Sequence, residues 1–97
     1  MEEFKKSYQK SSSVVSRVIE DEVILVPIRQ SAGDLESIYT LNKVGARIWE
    51  LIDGTKDVKE IAQHIAEEFE VSAGQAEEDT LYFINQLKEV DAISEAV

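Results

Sequence analysis

Apolar positions along this chain change period in a way that separates strands from helices. Val14, Val15, Val18 and Ile19 form a β-branched run, Glu20-Asp21 interrupts it, and Val23 to Ile28 (VILVPI) forms a second run. Two such runs across a short polar break predict a hairpin with strands at 14–19 and 22–28. Pro27 has no N–H to give a ladder, so it belongs near a strand end or on an edge-facing position. Gln30 to Glu36 is turn material around Gly33-Asp34, and Ser37 to Leu41 (SIYTL) predicts a third short strand at 37–41. Three consecutive short strands imply an antiparallel meander.

From Asn42 the period becomes that of a helix. Asn42 can cap, Val44, Ile48, Leu51 and Ile52 share a face with Trp49 beside them, and Gly54 offers a left-handed stop, which predicts a helix over 43–53. Asp57 and Glu60 form an Asp-x-x-Glu start for a second helix, 58–70, in which Val58, Ile61, Ala62, Ile65, Ala66 and Phe69 recur at three and four residues. Ser72 and Gln75 open a third, 73–90, with Ala76, Thr80, Phe83, Ile84, Leu87 and Val90 on one side. Glu77, Glu78 and Asp79 fall in its first turns, where the helix dipole favours negative charge. Leu81 and Tyr82 lie off that stripe on opposite flanks, Leu81 accompanied by Asn85 and Tyr82 by Gln86. Spacing alone does not choose between the two flanks. Residues 1–12 mix charge with Ser and Gln without periodicity and are expected to be a flexible tail, leaving 13–97 as a single domain.

Composition narrows the chemistry. In 97 residues, 43% hydrophobic and 31% charged, there is room for one modest core. With no cysteine, disulfides, thiolate metal sites and thiol nucleophiles are excluded together. The longest apolar run is too short to cross a membrane, and a cytoplasmic protein is expected. Residues 1–33 carry five basic and five acidic side chains, so the whole net charge of -10 lies in the remainder, where five bases face fifteen acids. That field repels phosphate and anionic lipid and favours basic peptide or protein surfaces, so neither nucleic acid nor membrane is an expected partner.

Catalytic machinery is not visible. The lone histidine, His64, stands within a turn of Glu60, Glu67 and Glu68 and reads as a surface residue rather than a metal ligand. None of Gly33, Gly45, Gly54 and Gly74 belongs to a phosphate-binding loop. No catalytic residue, metal or cofactor is assigned. The length and acidity also suit an acyl carrier protein, but the Asp-Ser-Leu attachment site is missing and the strand-rich first third does not suit a helical bundle.

The segment YTLNKVGARIWELIDG, Tyr39 to Gly54, resembles the signature of the PqqD-like family, named for pyrroloquinoline quinone biosynthesis protein D. The matching positions are Leu41, Asn42, Ala46, Ile48, Trp49, Leu51, Ile52, Asp53 and Gly54, followed by Val58, Ile61 and Ala62, then Asp79, Phe83 and Leu87. Asp57 departs from the Thr or Ser often found before the second helix, but either type caps. The resemblance implies an α+β, winged-helix-like domain that is not an enzyme. Such a domain binds the leader of a ribosomally made precursor peptide and presents it to a modifying enzyme, commonly a radical S-adenosylmethionine enzyme. It further implies that the leader adds as a strand to Ser37, Ile38, Tyr39, Thr40 and Leu41 and packs against one flank of the third helix, Leu81 with Asn85 or Tyr82 with Gln86. Two other readings share this inventory. A winged-helix DNA-binding regulator needs a basic recognition helix, whereas 74–90 holds Lys88 against four acids. A structural module would instead pair the same edge strand with its own copy to form a homodimer.

Overall fold

The computed structural model describes residues 2–12, 14–20, 22–27 and 39–96. A 3₁₀ turn, Glu2–Lys5, leads into β1, Tyr8–Lys10. The hairpin follows as β2, Val14–Ile19, and β3, Glu22–Pro27; then come β4, Tyr39–Leu41, helices α1, Lys43–Leu51, α2, Val58–Phe69, and α3, Ala73–Glu89, and finally β5, Ile93–Glu95. The architecture is α+β, with an antiparallel sheet of order β2-β3-β4 and three helices, as the periodicity predicts. Of the expected third strand, Ser37 and Ile38 lie outside the described residues.

Local chemistry accounts for the boundaries. Ile19 pairs with Glu22 across the two-residue connection, and Glu20 takes φ 58°, the left-handed shape that tight hairpins demand. Pro27 ends β3, where its missing N–H costs little. Asp57 and Glu60 form a reciprocal capping box at the start of α2, and Ser72 accepts from the Gln75 N–H at the start of α3. Each helix stops short of its predicted end. Ile52 turns extended after α1, two residues before Gly54 takes φ 86°, so Gly54 reverses the chain rather than ending the helix directly. Glu70 adopts a left-handed cap after α2, and Val90 caps α3.

The core lies where the three helices meet the inner face of the sheet. Ile48, Trp49 and Ile52 from the α1 region meet Val58, Ile61 and Ile65 from α2, Ala76, Ile84 and Leu87 from α3, and Leu25 and Leu41 from the sheet. Trp49 is therefore scaffold, and Lys10 caps its ring from 5.2 Å. The paired Arg47 and Glu68 tie α1 to α2 through two hydrogen bonds of 2.7 and 3.0 Å. That partnership raises the guanidinium's pKa and lowers the carboxyl's. Leu81, expected off the core stripe, packs against the core margin instead, while Phe83 and Val90 of the stripe are only half-buried.

The flexible tail expected at 1–12 is not what forms. β1 pairs antiparallel with β5, a strand the periodicity does not predict, and the segment is stitched to the domain by backbone groups. The Lys6 carbonyl accepts from the Val58 N–H, one of the donors that the start of α2 leaves open, and the Tyr8 carbonyl accepts from Gly54. Tyr8 is 4% exposed, with Lys88 Nζ 5.6 Å from its ring centroid. Long-range pairing organises this segment where local periodicity is absent.

Three outcomes follow from this packing. Tyr8→Ala should cost about 3 kcal/mol in urea unfolding, the scale for an aromatic removed from a core, whereas a frayed tail would give no change. The Thr80 hydroxyl is buried on the inner face of α3 without a hydrogen-bond partner among the described residues. Thr80→Val, of the same shape, should raise stability by about 1 kcal/mol in the same assay. At Asp53, a hydrogen bond from Lys56 Nζ, then those from the Thr55 N–H and hydroxyl, hold the exposed carboxyl well below its usual range. Its contribution is present above the ordinary Asp pKa and is lost as pH falls toward the lowered one. Melting curves collected between neutral pH and pH 2 should therefore fall less steeply for Asp53→Asn than for the parent chain.

Candidate functional site

The place where β4 becomes α1 is resolved in a single residue. Asn42 is extended, at φ -74° and ψ 179°, and its Oδ1 accepts the Gly45 N–H at 2.7 Å, while its carbonyl accepts from Ala46 at 2.8 Å. The first turn of α1 is thereby tied to the end of the strand. β4 pairs with β3 on one side through Val23–Leu41, Ile24–Thr40 and Leu25–Tyr39. On the other side it is the last strand of the sheet among the described residues. Thr40 is exposed and Leu41 enters the core, as the strand period requires.

Beside this edge lies a cleft of about 290 Å³ between the start of α1 and the middle of α3. Asn42, Val44, Gly45 and Ile48 form one wall, and Asp79, Tyr82, Phe83 and Gln86 the other. The second set recurs at three and four residues, so it occupies one face of α3. Gly45 makes the cleft's floor possible. A Cβ built there would stand 3.0 Å from Phe83 Cε1 and 3.2 Å from Asn42 Oδ1, so any side chain would push α1 away from α3 or disturb the cap. The lining is apolar at Val44, Ile48 and Phe83, with Asn42, Asp79 and Gln86 as polar groups. Asp79 is engaged by Gln75 Nε2 at 2.8 Å.

The two flanks of α3 are now distinguishable. Tyr82, 66% exposed, stands in the cleft wall with Gln86, whose Nε2 donates to the Tyr82 hydroxyl oxygen at 3.2 Å. Leu81 packs against the core and Asn85 is exposed without lining the cleft. Tyr82 and Gln86 are thus brought beside the end of β4, and Leu81 and Asn85 are not. Periodicity assigned Asn42 to capping and Phe83 to the core, and each also lines the cleft. Gly45 has no signal in a single sequence that separates it from an ordinary helical glycine.

A larger hollow, about 490 Å³, lies between α2 and the start of α3, with Glu60, Glu67 and Glu77 around His64 and Ala66. His64 Nδ1 stands 3.9 Å from Glu68 Oε2, the surface contact expected of it. This hollow is lined by residues of α2 and α3 alone, whereas the smaller cleft includes Asn42, the residue that directly follows β4, so the smaller cleft is the better candidate. Among the described residues no helix is long and apolar enough to cross a membrane.

Comparison with known proteins agrees with this fold. TbiB1, solved in complex with the TbiA(beta) leader peptide, is 30% identical, with a TM-score of 0.73 over 89% of this chain and 94% of that one. Lasso peptide synthetase B1, solved with its leader peptide, is 20% identical and shares the fold, with a TM-score of 0.75 over 91% and 98% of the two chains. A comparison with curated protein sequences finds no match. The family model described as coenzyme PQQ synthesis protein D matches residues 22–93, which run from β3 through the cleft to β5, and the chain belongs to the PqqD family.

Proposed function

We propose that this protein is a non-catalytic recognition module that captures the leader of a ribosomally synthesised precursor peptide as an added strand on β4 and presents it to a separate modifying enzyme. The observation that carries the reading is the continuity, through Asn42, of a strand edge that is open among the described residues, Tyr39–Leu41, with a cleft walled by Tyr82 and Gln86. Both solved relatives named above hold leader peptides, which supports the same occupant here. The modifying enzyme is proposed to be a radical S-adenosylmethionine enzyme, as the family implies, and the encounter to be cytoplasmic, where a ribosomal product is met.

Backbone pairing supplies affinity in this mode and the cleft supplies selectivity. Thr40 is the residue of β4 whose backbone groups turn away from β3, so a guest strand adds about two hydrogen bonds there at roughly 0.5 to 1.5 kcal/mol each, and one leader side chain seated in the cleft adds roughly 1.5 to 3 kcal/mol. Association costs about 4 to 15 kcal/mol. With terms this close, an edge and cleft already ordered before binding decide whether capture is useful. The Asn42 cap and the Gly45–Phe83 contact provide that order.

Calorimetric titration with the leader of the precursor encoded beside this gene tests the assignment. Tyr82→Asp should weaken binding tenfold or more, about 1.4 kcal/mol, with little change in melting temperature because Tyr82 is outside the core. Asn85→Asp, on the same helix but away from the cleft, should bind as the parent chain does. Equal affinity of Tyr82→Asp and the parent chain would remove α3 from the site.

A further inference from the structure

The sheet has a second edge. Among the described residues β2 is its other terminal strand, and every residue from Val15 to Ile19 is exposed, with Val18 71% exposed and Ile19 54%. Strand edges of this kind are normally blunted by a lysine, a proline or an inward charge. Here the only charge is Arg17, and the strand reads VVSRVI.

The direction of the backbone groups follows from the turn. A two-residue connection closes on a pair that exchanges both backbone hydrogen bonds, and such pairs alternate along an antiparallel ladder. Ile19 and Glu22 are the closing pair. Ile19, Arg17 and Val15 therefore turn their N–H and C=O groups to β3, while Val18, Ser16 and Val14 turn theirs outward.

We infer that β2 is a self-pairing edge, and that two copies of this chain join there, antiparallel about a two-fold axis centred on Ser16. Such an axis stands normal to the sheet and keeps faces aligned, so only residues of equal parity can oppose one another. Centring on Ser16 sets it against Ser16 of the second copy, Val14 against Val18, and Val15 against Arg17. All six outward backbone groups of each copy then find partners. Centring one residue later would oppose Arg17 to itself, which like charges disfavour. Centring on Val18 would leave Val14 unmatched.

Charge selects the same occupant. Residues 1–33 balance five bases against five acids, whereas fifteen acids and five bases follow. Joining at β2 brings two neutral ends together and keeps the acidic helices apart, whereas an acidic partner gains little from this strand and a basic one would favour the helices. The combined sheet runs β4-β3-β2-β2-β3-β4. Its two β4 edges stay open, about 24 Å apart at five strand spacings of roughly 4.8 Å.

Sedimentation equilibrium of the full chain over a roughly hundredfold range of concentration, reaching about 1 mM, provides the test. The mass should rise from 10.9 kDa toward twice that value. Ser16→Pro should hold it at the monomer value with a nearly unchanged melting curve, because the Ser16 N–H is outside the β2–β3 ladder. Val18→Lys, which charges the edge without touching the backbone, should do the same. Thr40→Lys, on the opposite edge, should leave the association intact. A chain that stays monomeric at the highest concentration overturns the proposal. So does association that survives both β2 variants, or that Thr40→Lys abolishes.

Discussion

The hydrogen bond from the Gly45 N–H to Asn42 Oδ1, with the close approach it permits, sets the geometry on which the candidate site depends. It fixes where β4 stops and in which direction α1 departs, and the missing Cβ at Gly45 then lets the Phe83 ring lie against that first turn. The sheet edge and the start of α1, adjacent in sequence, are thereby locked at one corner to the distant middle of α3. An edge strand without this corner would be an unpaired edge like any other. The corner supplies a wall on which the side chains of a guest strand can be distinguished.

Much of this was legible because it is local. The hairpin at 14–27, the caps at Asn42, Asp57 and Ser72, and the helical stripes all follow from residues within one or two turns of each other, and the structure has them within a few residues of the predicted bounds. β1 and β5 were not legible. Each is three residues long, too short to display a period, and each exists only because the other, more than eighty positions away, supplies its hydrogen bonds. Tyr8 gives no local sign that its carbonyl will meet the Gly54 N–H. At the site, periodicity could say that Leu81 and Tyr82 lie on opposite flanks of α3. It could not say which flank met α1, because that depends on how two helices cross. Gly45 is the residue that permits the crossing, and a glycine's use is invisible until its neighbour is known.

The exposed face of α3 carries Glu78, Asp79 and Glu89 against Lys88, so the helix that would enter a groove in a DNA-binding relative of this fold is electrostatically unsuited to phosphate. The same charges do not obstruct peptide capture, which draws on backbone groups at β4 and an apolar floor. Asp79, in the cleft wall, would favour a leader residue that is neutral or basic there. The acidic surface therefore restricts the class of guest without contributing much affinity in a solvated setting.

The two edges of the sheet solve different problems with the same backbone chemistry. β4 is short, ends in a capping Asn and opens onto a cleft, so a strand added there is read by side chains on α3. β2 is twice as long and, among the described residues, lies against β3 alone in the sheet with no helix packed beside it as α1 is beside β4, so what pairs there is selected mainly by register and charge. Register selection of that kind suits an identical strand, whose residues match by symmetry. It suits a varied leader poorly, because nothing beside β2 would distinguish one apolar side chain from another. With a leader at β4 and a second copy at β2, as proposed, the asymmetry between the edges would let a single small sheet hold two kinds of strand partner without competition between them.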